Sequence, residues 1–431
     1  MTAPTILQNA TPAQLERAAA LNHRELFCLG ARCAGGEVRE ANGVTWTYAG
    51  PRGDSMVAFP SLAENRAGAQ LDEIVGYYLG LSYVPRGLVG CWSLDPPRPP
   101  DLGVRLLARG FQVGWRPCWM ALDLDRVRTD HPRPEGLRVE ADGESSFLNM
   151  KHLPYAQVDE PCARPDLQER YRDRLRRFVA VLDGRVVGQS TVFLTEGPLG
   201  AAGIYDVGVE PEARNRGIGK AVTLAACLVA RERGYRYAVL NATDLGRPAY
   251  ERLGFEWLGD GWTWWLNVPR LAARLPTLNR IALAEAVGRG DVPALDLLGA
   301  HLSNDDLQAP LANEMTLMQL AVHCRQFASA EWLIARGTEL EVLEAWDLGW
   351  RERAAQLLRD RPERVNRRYG EWKLTLLHEA ASRGDLDLAR LALSAHPDLS
   401  IKDEAHQSTP LGWARFFKRE EIVRLLSESG D

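Results

Sequence analysis

The sequence predicts two α/β units with a mixed, mostly antiparallel sheet, followed by an all-α solenoid of helix pairs. Three observations support this prediction. Five alanines recur near a 35-residue period in the last third of the chain, two Gly-Phe pairs stand 144 residues apart, and a glycine-rich turn separates a strand-like segment from a helix-like one. At 431 residues the chain is too long for one compact core, so two or three domains are expected.

Composition and charge indicate an ordinary globular protein, with 45% hydrophobic residues, 25% charged residues and a net charge of −5. Nucleic-acid-binding proteins usually carry excess cations, so this charge argues against nucleic acid as a partner. The seven cysteines are scattered without a C-x-x-C pair, which argues against a metal centre and is typical of a reducing compartment. Because the sequence shows neither a signal-peptide pattern nor an apolar run long enough to cross a bilayer, we expect no membrane association and a cytoplasmic location.

The segment from residue 277 to residue 431 is predicted to form short paired helices. Its alanines stand at intervals of 35, 24, 35 and 34 residues, with leucine-rich segments between them. Together with the openings Thr375–His378 and Thr409–Leu411, this pattern resembles ankyrin repeats and implies a module that binds a protein partner. The short interval predicts one repeat without its hairpin loop. The alanines in register are Ala286, Ala321, Ala345, Ala380 and Ala414.

A second internal repeat divides the chain upstream of residue 277. The segment 102–124 parallels the segment 246–268, with Gly110-Phe111 opposite Gly254-Phe255. Each copy is predicted to form a helix closed by glycine and followed by an aromatic-rich strand. We therefore predict two related α/β units, residues 1–130 and 133–270, which meet near the proline-rich stretch TDHPRPEG.

The second unit has the clearest pattern of strands and helices. RFVAVLDGRVVGQSTVFLTEG predicts two strands joined by a turn at Asp183-Gly184. AAGIYDVGVEP predicts a third strand that ends at Pro211, and KAVTLAACLVARERG predicts a helix that ends at Gly234. Gly217 and Gly219 therefore lie at a helix N-terminus, where unpaired N–H groups and the helix dipole attract an anion.

The glycine-rich turn RNRGIGKA fits one phosphate motif better than two others. A Walker loop requires glycine at 214 and serine or threonine after Lys220, whereas this chain has Arg214 and Ala221. The dinucleotide fingerprint requires a third glycine where Val222 stands. The remaining match, Arg/Gln-x-x-Gly-x-Gly/Ala, resembles the acyl-CoA loop of the GCN5-related N-acetyltransferases, the GNAT family. A Tyr-x-x-x-Gly-Phe sequence downstream resembles that family's second CoA-contacting segment.

The resemblance implies an enzyme that uses acetyl-CoA and no metal. Main-chain groups of Val207, Gly208 and Val209 would hold the pantetheine arm like an added strand. An amine would attack the thioester directly, with a main-chain N–H near Val209 steadying the oxyanion. Tyr250 would protonate the leaving thiolate, and Asn241 would be a further cofactor ligand. The residues expected to wrap the pyrophosphate are Arg214, Asn215, Arg216, Gly217, Ile218, Gly219, Lys220 and Ala221.

Several of these side chains have a structural alternative. Tyr250 lies one helical turn before a glycine and is also suited to a place in the core. Asn241 is equally suited to cap the helix that follows it. For the general base the sequence offers Asp206 first, and then Glu210 and Asp244, although such carboxylates are commonly solvated or paired.

The first unit lacks the catalytic parts. No Arg-x-x-Gly-x-Gly precedes its last helix, and Leu106 stands where the second unit has Tyr250. We expect a degenerate copy that binds no CoA, packs on the second unit and shapes the acceptor cleft. HLPYAQVDEPCARPDLQERYRDRLRRF is predicted to form paired helices over the acceptor site, with Asp159 and Glu160 as candidates to attract an amine and an exposed charged helix face after Leu167.

Tryptophans cluster in corresponding parts of both units. They are expected to line an acceptor cleft or to be buried between the sheets or between the units, and burial is the more common role for strand residues of this type. They are Trp115 and Trp119 in the first unit and Trp257, Trp262, Trp264 and Trp265 in the second.

The sequence therefore supports two hypotheses. The first is an N-acetyltransferase that moves an acetyl group from acetyl-CoA to an amine-bearing small molecule or protein. Its ankyrin-repeat domain would bind a protein partner or dock on the catalytic unit. The alternative is a non-catalytic ankyrin-repeat binding protein whose GNAT unit only binds CoA or is silent. The intact loop together with Tyr250 favours the enzyme.

Overall fold

The computed structural model describes residues 5–50, 55–82, 84, 87–141, 165–244 and 246–429. The chain divides into two compact units, Met1–Thr277 and Leu278–Asp431, which we call the N-terminal unit and the helical unit. Within the N-terminal unit, residues 1–130 are the first half and residues 133–277 the second half. Among the described residues, no helix combines the length and apolar character needed to cross a membrane.

One large β-sheet forms the centre of the N-terminal unit, and its strands are rich in β-branched and aromatic residues. They are β1 (Glu37–Ala41), β2 (Val44–Tyr48), β3 (Ser55–Ala58), β4 (Leu88–Leu94), β5 (Phe111–Val113), β6 (Cys118–Asp123), β7 (Arg138–Ala141), β8 (Leu175–Leu182), β9 (Arg185–Leu194), β10 (Ala202–Val209), β11 (Tyr237–Ala242) and β12 (Glu256–Asn267). The helices are α1 (Pro12–Cys33), α2 (Ala67–Leu79), α3 (Leu102–Ala108), α4 (Pro165–Arg170), α5 (Ile218–Glu232), α6 (Arg247–Glu251) and α7 (Val268–Ala273).

The strand order is β1-β2-β3-β4-β12-β6-β11-β10-β9-β8-β7, and β5 pairs with β12 beside this path. Among the described strands, the pairs β3–β4 and β10–β11 are parallel. The other pairs are antiparallel. The prediction of a mixed, mostly antiparallel sheet is confirmed for this unit.

The two halves exchange their last strands. β6 of the first half pairs with β11 of the second half, and β12 of the second half pairs with β4 of the first. Cys118 lies opposite Ala242 and Trp262 lies opposite Ser93, so positions that stand 144 residues apart occupy corresponding places. The sheet of each half is therefore completed by a strand of the other half.

Helices cover both faces of the sheet in the second half. On β9, Val192 belongs to the hydrophobic cluster that contains Ala226 of α5, whereas Phe193 packs with Leu26 of α1. Because adjacent residues of a strand point to opposite faces, α5 and α1 lie on opposite sides of the sheet. The predicted helix 220–234 is confirmed as α5, and Gly234 follows its end with a left-handed φ of 86°.

Helix α1 is fixed to the second half by a buried amide. Asn22 Nδ2 donates to the Phe193 carbonyl oxygen at 3.1 Å and the Ala201 carbonyl oxygen at 3.0 Å. The Tyr205 hydroxyl donates to Asn22 Oδ1 at 2.6 Å. Gly203 permits this approach, because a Cβ atom there would stand 1.9 Å from Asn22 Oδ1. A helix of the first half is therefore held against β10, the strand that carries Asp206, the first candidate for the general base.

The predicted hairpin is present, but the segment before it differs from expectation. Asp183 and Gly184 both have positive φ values, 51° and 75°, as a two-residue hairpin turn requires. The exposed helix face predicted after Leu167 is wrong beyond α4, because β8 begins at Leu175 and Arg177 is buried on that strand. The segment from Leu175 onward forms a strand because its backbone pairs with β9 and its apolar side chains are buried. Asp159 and Glu160 lie outside the described residues.

The helical unit consists mainly of consecutive helix pairs. Several of its helices begin with a side-chain cap, such as Asp291, Thr316 and Asp385. The pairs are α8 (Leu278–Arg289) with α9 (Val292–Leu298), α11 (Leu317–His323) with α12 (Phe327–Ala335), α13 (Val342–Asp347) with α14 (Arg351–Asp360), α15 (Leu376–Arg383) with α16 (Leu386–Leu393), and α17 (Pro410–Phe416) with α18 (Glu420–Glu428). The short helix α10 (Asn304–Gln308) follows the first pair.

The five alanines in register lie in the first helix of each pair, and all are buried. The 24-residue interval between Ala321 and Ala345 results from a short connection between two helix pairs. Residues 336–341 join α12 to α13, whereas the longer segments 361–375 and 394–409 precede α15 and α17. His378 links successive pairs. Its Nδ1 accepts from the Thr375 N–H at 3.2 Å at the start of α15, and its Nε2 lies 3.0 Å from the Ser408 carbonyl oxygen before α17. The helical repeat read from the sequence is thus a structural repeat.

A buried carboxyl group in this unit makes its stability depend on pH. Glu344 Oε2 accepts from the Glu341 N–H at 2.8 Å, and burial raises the pKa of Glu344 to about 7. The folded state therefore retains a proton that the unfolded chain releases near pH 4.5, so stability is lost as the pH rises from about 4.5 to about 7.

We expect Glu344→Gln to remove this loss, because an amide oxygen still accepts the bond without ionising. The stability difference from wild type should grow by about 3 kcal/mol between pH 5 and pH 8. Urea denaturation of the full chain across this range measures it. Exposed Glu352 provides the control variant, Glu352→Gln. A difference for Glu344→Gln that does not change with pH would contradict the prediction.

Candidate active site

The second half of the sheet opens between β10 and β11. These strands are parallel but pair only at Ala202 with Ala238 and at Gly203 with Val239. Beyond these positions β11 pairs with β6 on its other side, whereas β10 continues to Val209. A gap therefore separates the carboxyl-terminal part of β10 from β11, on the path that leads to the start of α5.

A bulge on β10 faces this gap. Pairing with β9 runs as far as Tyr205 and resumes at Gly208, so Asp206 and Val207 lie outside the ladder. Asp206 has a φ of 51°, a left-handed conformation that residues other than glycine seldom adopt. Departures of this kind concentrate at functional sites. The bulge thus sets apart Asp206, the first candidate for the general base, and Val207, which the resemblance assigns to the pantetheine arm.

A cleft of about 520 Å³ follows the gap, and we call it the central cleft. Its lining includes residues from both halves of the N-terminal unit. The second half contributes four of the predicted site residues: Asp206, Val207, Asn241 and Tyr250. The first half contributes His23 and Phe27 of α1, Ser55 of β3, Trp92 of β4, and Trp115. The first half therefore forms one wall of the cleft.

Tyr250 is half-buried on α6, with its ring centroid 5.8 Å from that of Phe255. It packs against the hydrophobic cluster of the second half and also lines the central cleft. The core role and the role at the site are therefore compatible for Tyr250, because the residue packs against the core cluster and also borders the cleft. Its role as the acid stays a prediction.

Asn241 also lines the central cleft, at the end of β11. The following helix begins at Arg247 with Gly246 as its N-cap. The hydroxyl of Thr243, rather than Asn241, accepts from the Gly246 N–H, at 3.2 Å. The capping alternative for Asn241 is therefore wrong, and a contact with the cofactor stays a prediction.

The three candidate bases occupy different environments. Asp206 borders the central cleft and lies in the bulge of β10. Glu210 lies 3.4 Å from Arg185 in an ion pair at the far end of β10. Asp244 is exposed in the turn after β11. Among these three, only Asp206 lines the cleft.

The glycine-rich loop presents the start of α5 without a side-chain cap. Gly217 is the N-cap residue with a φ of 83°, and Asn215 has a φ of 61°. Two left-handed residues so close to a helix start aim successive N–H groups outward, an arrangement that binds anions. Arg214 Nε donates to the Val209 carbonyl oxygen at 3.2 Å, which ties the loop to the end of β10.

A second cavity of about 630 Å³ adjoins this loop and is distinct from the central cleft. Asn215, Arg216, Gly217 and Lys220 line it, together with Arg133 at the start of the second half. The structure therefore divides the predicted site residues into two groups, one at the central cleft and one at the start of α5. Gly208 and Val209 lie between them on β10, whereas Ile218 is buried and contributes to the core.

We expect Gly217→Ala to destabilise the N-terminal unit by about 1–3 kcal/mol. The left-handed φ disfavours a side chain, and the added Cβ atom would stand 2.5 Å from the Pro132 carbonyl oxygen. Gly219→Ala, two residues away, is the matched control, because its Cβ atom would meet only Val209 Cγ2 at 3.5 Å. Urea midpoints of both variants measure the difference, and equal midpoints would refute the role assigned to Gly217.

The six tryptophans named from the sequence have different roles. Trp115 and Trp265 line the central cleft. Trp119 and Trp264 are buried, in agreement with the simpler interpretation. Trp262 stacks on Trp264 and lies under the Arg116 guanidinium, whereas Trp257 is exposed and donates to Asp260 Oδ1 at 3.1 Å.

Sequence reasoning missed the cleft residues that lie far upstream. His23 and Phe27 stand one turn apart on α1, and Ser55 and Trp92 lie on β3 and β4. No motif marks them. The available signals were the Thr11 capping box that begins a long helix, and the expectation that the first half shapes the cleft.

Comparison with known proteins agrees with this geometry. The model of the acetyltransferase (GNAT) family matches residues 145–255. A glucosamine 6-phosphate N-acetyltransferase from Trypanosoma brucei brucei is 34% identical over 76 residues, which are 17% of this chain and 52% of that protein. A mycothiol acetyltransferase from Thermobispora bispora is 32% identical over 178 residues, which are 39% of this chain and 51% of that protein. The chain thus spans about half the length of these relatives.

Among solved structures, a GCN5-related N-acetyltransferase from Kribbella flavida covers 57% of this chain and 94% of its own, with 15% identity and a TM-score of 0.44. The family match includes the bulged strand, the glycine-rich loop, α5 and Tyr250. The GNAT family uses acetyl-CoA as its co-substrate. Residues 145–255 of this chain therefore match the acetyltransferase (GNAT) family.

Proposed function

We propose that this protein transfers the acetyl group of acetyl-CoA to a primary amine of a small molecule or a protein. The observation that carries the proposal is the gap between β10 and β11, which runs between the central cleft and the uncapped start of α5. An elongated thioester with a charged end requires such a path. Few other ligands need an opened strand edge and an anion site in succession.

The fit to acetyl-CoA rests on backbone groups and charge. In the gap, Val207, Gly208 and Val209 offer an unpaired strand edge to the amide groups of a pantetheine arm. The N–H groups at the start of α5 receive the pyrophosphate, and Arg216 and Lys220 add positive charge at the same helix end. The acetyl group then lies at the central cleft, beside the bulge.

The residues of the cleft have separate tasks in the transfer. The amine nitrogen forms a bond to the thioester carbonyl carbon, and the carbon–sulfur bond breaks. Asp206 accepts the proton that the amine loses, directly or through water, and Tyr250 donates a proton to the departing thiolate. A main-chain N–H near Val209 stabilises the charge on the carbonyl oxygen.

We assign catalysis to the second half and regard the first half as a silent copy. Its parallel pair β3–β4 is hydrogen-bonded from Ser55 to Ala58, and the Phe59 N–H continues the pairing to the Trp92 carbonyl oxygen. No gap corresponds to the one beside β10 within these described strands. Leu106, at the position of Tyr250, is fully buried. These features support a wall-forming role for this half.

The helical unit is proposed to be an ankyrin-repeat module that binds a protein partner. The alanine register, the five helix pairs and the hydrogen bonds between Thr375, His378 and Ser408 support this assignment. The proposal adds an interaction function to the chain and assigns no catalytic residue to this unit.

Calorimetry with acetyl-CoA, followed by thiol release against a panel of amines, tests the catalytic proposal. We expect binding by the intact chain and thiol release that increases with amine concentration. A folded protein that binds no acetyl-CoA would refute the site. Binding without thiol release for any amine would favour the non-catalytic alternative.

A further inference from the structure

The central cleft contains a histidine that the proposed reaction does not use. His23 is 4% exposed and lies within the first-half wall. Its ring centroid stands 4.4 Å from that of Trp92, 5.0 Å from that of Phe27 and 5.8 Å from that of Tyr205. Within the described part of the chain, neither ring nitrogen has a hydrogen-bond partner. Burial lowers the pKa of His23 to about 3, so the ring is neutral and offers one donor and one acceptor.

A second buried polar group in the same cleft also lacks a hydrogen-bond partner among the described residues. Ser55 on β3 is 2% exposed, and its hydroxyl has no hydrogen-bond partner among the described residues. Buried polar groups in native proteins are almost always satisfied, and exceptions call for an explanation. Two such groups that line one cleft indicate a ligand that completes their hydrogen bonds.

The remaining lining restricts the charge of that ligand. Among the described residues that line the cleft, Asp206 is the only one that is charged, and no lysine or arginine occurs. Aromatic rings of Phe27, Trp92, Trp115 and Trp265 form much of the wall. Such a surface suits an apolar face and a positively charged amine, whereas a phosphate or carboxylate group would find no counter-charge.

We infer that the acceptor is a primary amine on a body without phosphate or carboxylate, with an apolar face against the tryptophans and a hydroxyl or amide group that hydrogen-bonds to His23 and Ser55. The inference rests on the proposed acetyl transfer and specifies its acceptor. His23 and Ser55 are then specificity-determining residues, and Asp206 faces the amine. An aromatic amine and an amino sugar both have this chemistry, so the test includes one of each.

Calorimetry of amine binding to the full chain tests this inference without turnover. Tyramine and phenethylamine differ by one hydroxyl group, and glucosamine and glucosamine 6-phosphate differ by the phosphate. Each amine is titrated with and without CoA, and CoA binding is measured separately on the same protein. A failure of the acetyl-transfer proposal therefore appears as absent CoA binding and is distinguished from a failure of the acceptor inference.

We expect tyramine to bind wild type about tenfold more tightly than phenethylamine, because only tyramine satisfies the buried polar groups. In His23→Phe this preference should fall to about threefold or less, with unchanged CoA affinity. His301→Phe, at an exposed position of the helical unit, is the matched control and should retain the preference. Ser55→Ala provides the same test if His23→Phe does not fold. The phosphate should weaken glucosamine binding.

Three results would overturn the inference. The first is a hydroxyl preference that persists in both His23→Phe and Ser55→Ala. The second is tighter binding of glucosamine 6-phosphate than of glucosamine. The third is the absence of binding by both tyramine and glucosamine to a wild-type protein that binds CoA.

Discussion

Replacing Tyr250 with phenylalanine is expected to lower kcat for acetyl transfer at least about 100-fold, the contribution that a positioned general acid typically makes. The hydroxyl is the part of this residue that the proposed reaction needs. Phenols and alkyl thiols have comparable ordinary pKa values, about 10 and 8.5, so a phenol is a suitable proton donor to a departing thiolate. Without it the thiolate leaves unprotonated, or takes its proton from water.

The variant should keep its fold and its affinity for acetyl-CoA. The ring contact with Phe255 and the packing against the core cluster involve the ring rather than the hydroxyl. Tyr235→Phe is the matched control, since Tyr235 lies in the same cluster but does not line the central cleft. Steady-state thiol release gives kcat, and calorimetry gives the dissociation constant. If kcat of Tyr250→Phe stays within threefold of wild type, Tyr250 is a core residue and not the acid.

The loop and the elements beside it could be predicted because their signals are local. The turn at Asp183-Gly184, the end of α5 near Gly234 and the glycines before α5 each depend on backbone preferences of a few residues. Such preferences act in the same way wherever the segment lies in the fold. The sequence therefore predicts an anion site at the start of α5, and it places Val207 on the preceding strand, as the structure shows.

The exchange of strands between the halves could not be predicted in this way. The repeat at Gly110 and Gly254 shows that two segments are alike, but it does not show which neighbour each strand chooses. Cys118–Asp123 has the buried pattern of a central strand, and this pattern is satisfied equally beside β4 or β11. Long-range pairing decides between them.

The same exchange explains why sequence analysis found only part of the cleft. Since β6 and β12 join the two halves into one sheet, His23 of α1 and Trp92 of β4 line the same cleft as Asp206 of β10. A histidine within an amphipathic helix is an ordinary sequence feature. Its unsatisfied nitrogens become visible only when the rings around it are in place.

The double variant Arg216→Glu/Gly219→Glu is expected to lower the affinity for acetyl-CoA at least about 100-fold, that is, by about 3 kcal/mol or more. It removes one positive charge and adds two negative charges at a helix end that is proposed to receive a pyrophosphate. The side chain at 219 also covers the backbone that the phosphate must approach. Calorimetry with acetyl-CoA measures the loss.

The fold should tolerate these changes. Arg216 is exposed, a side chain at 219 starts in ordinary contact with Val209, and carboxylates are favourable in the first turn of a helix. Arg231→Glu, at the exposed carboxyl end of α5, controls for two of the three units of charge that the double variant changes. It should leave binding within about threefold of wild type. Equal losses in both proteins would mean that general attraction, and not a phosphate site, governs affinity.

The single variant Gly219→Ala separates the contribution of charge from that of backbone access. The acyl-CoA motif that this loop resembles accepts alanine at this position, and the added methyl group meets no close neighbour. Binding should therefore persist in Gly219→Ala and disappear in the double variant, with the difference growing as ionic strength falls. If the alanine alone abolishes binding in a folded protein, the ligand lies closer to the start of α5 than the GNAT motif requires. The loop would then have a more restrictive binding geometry.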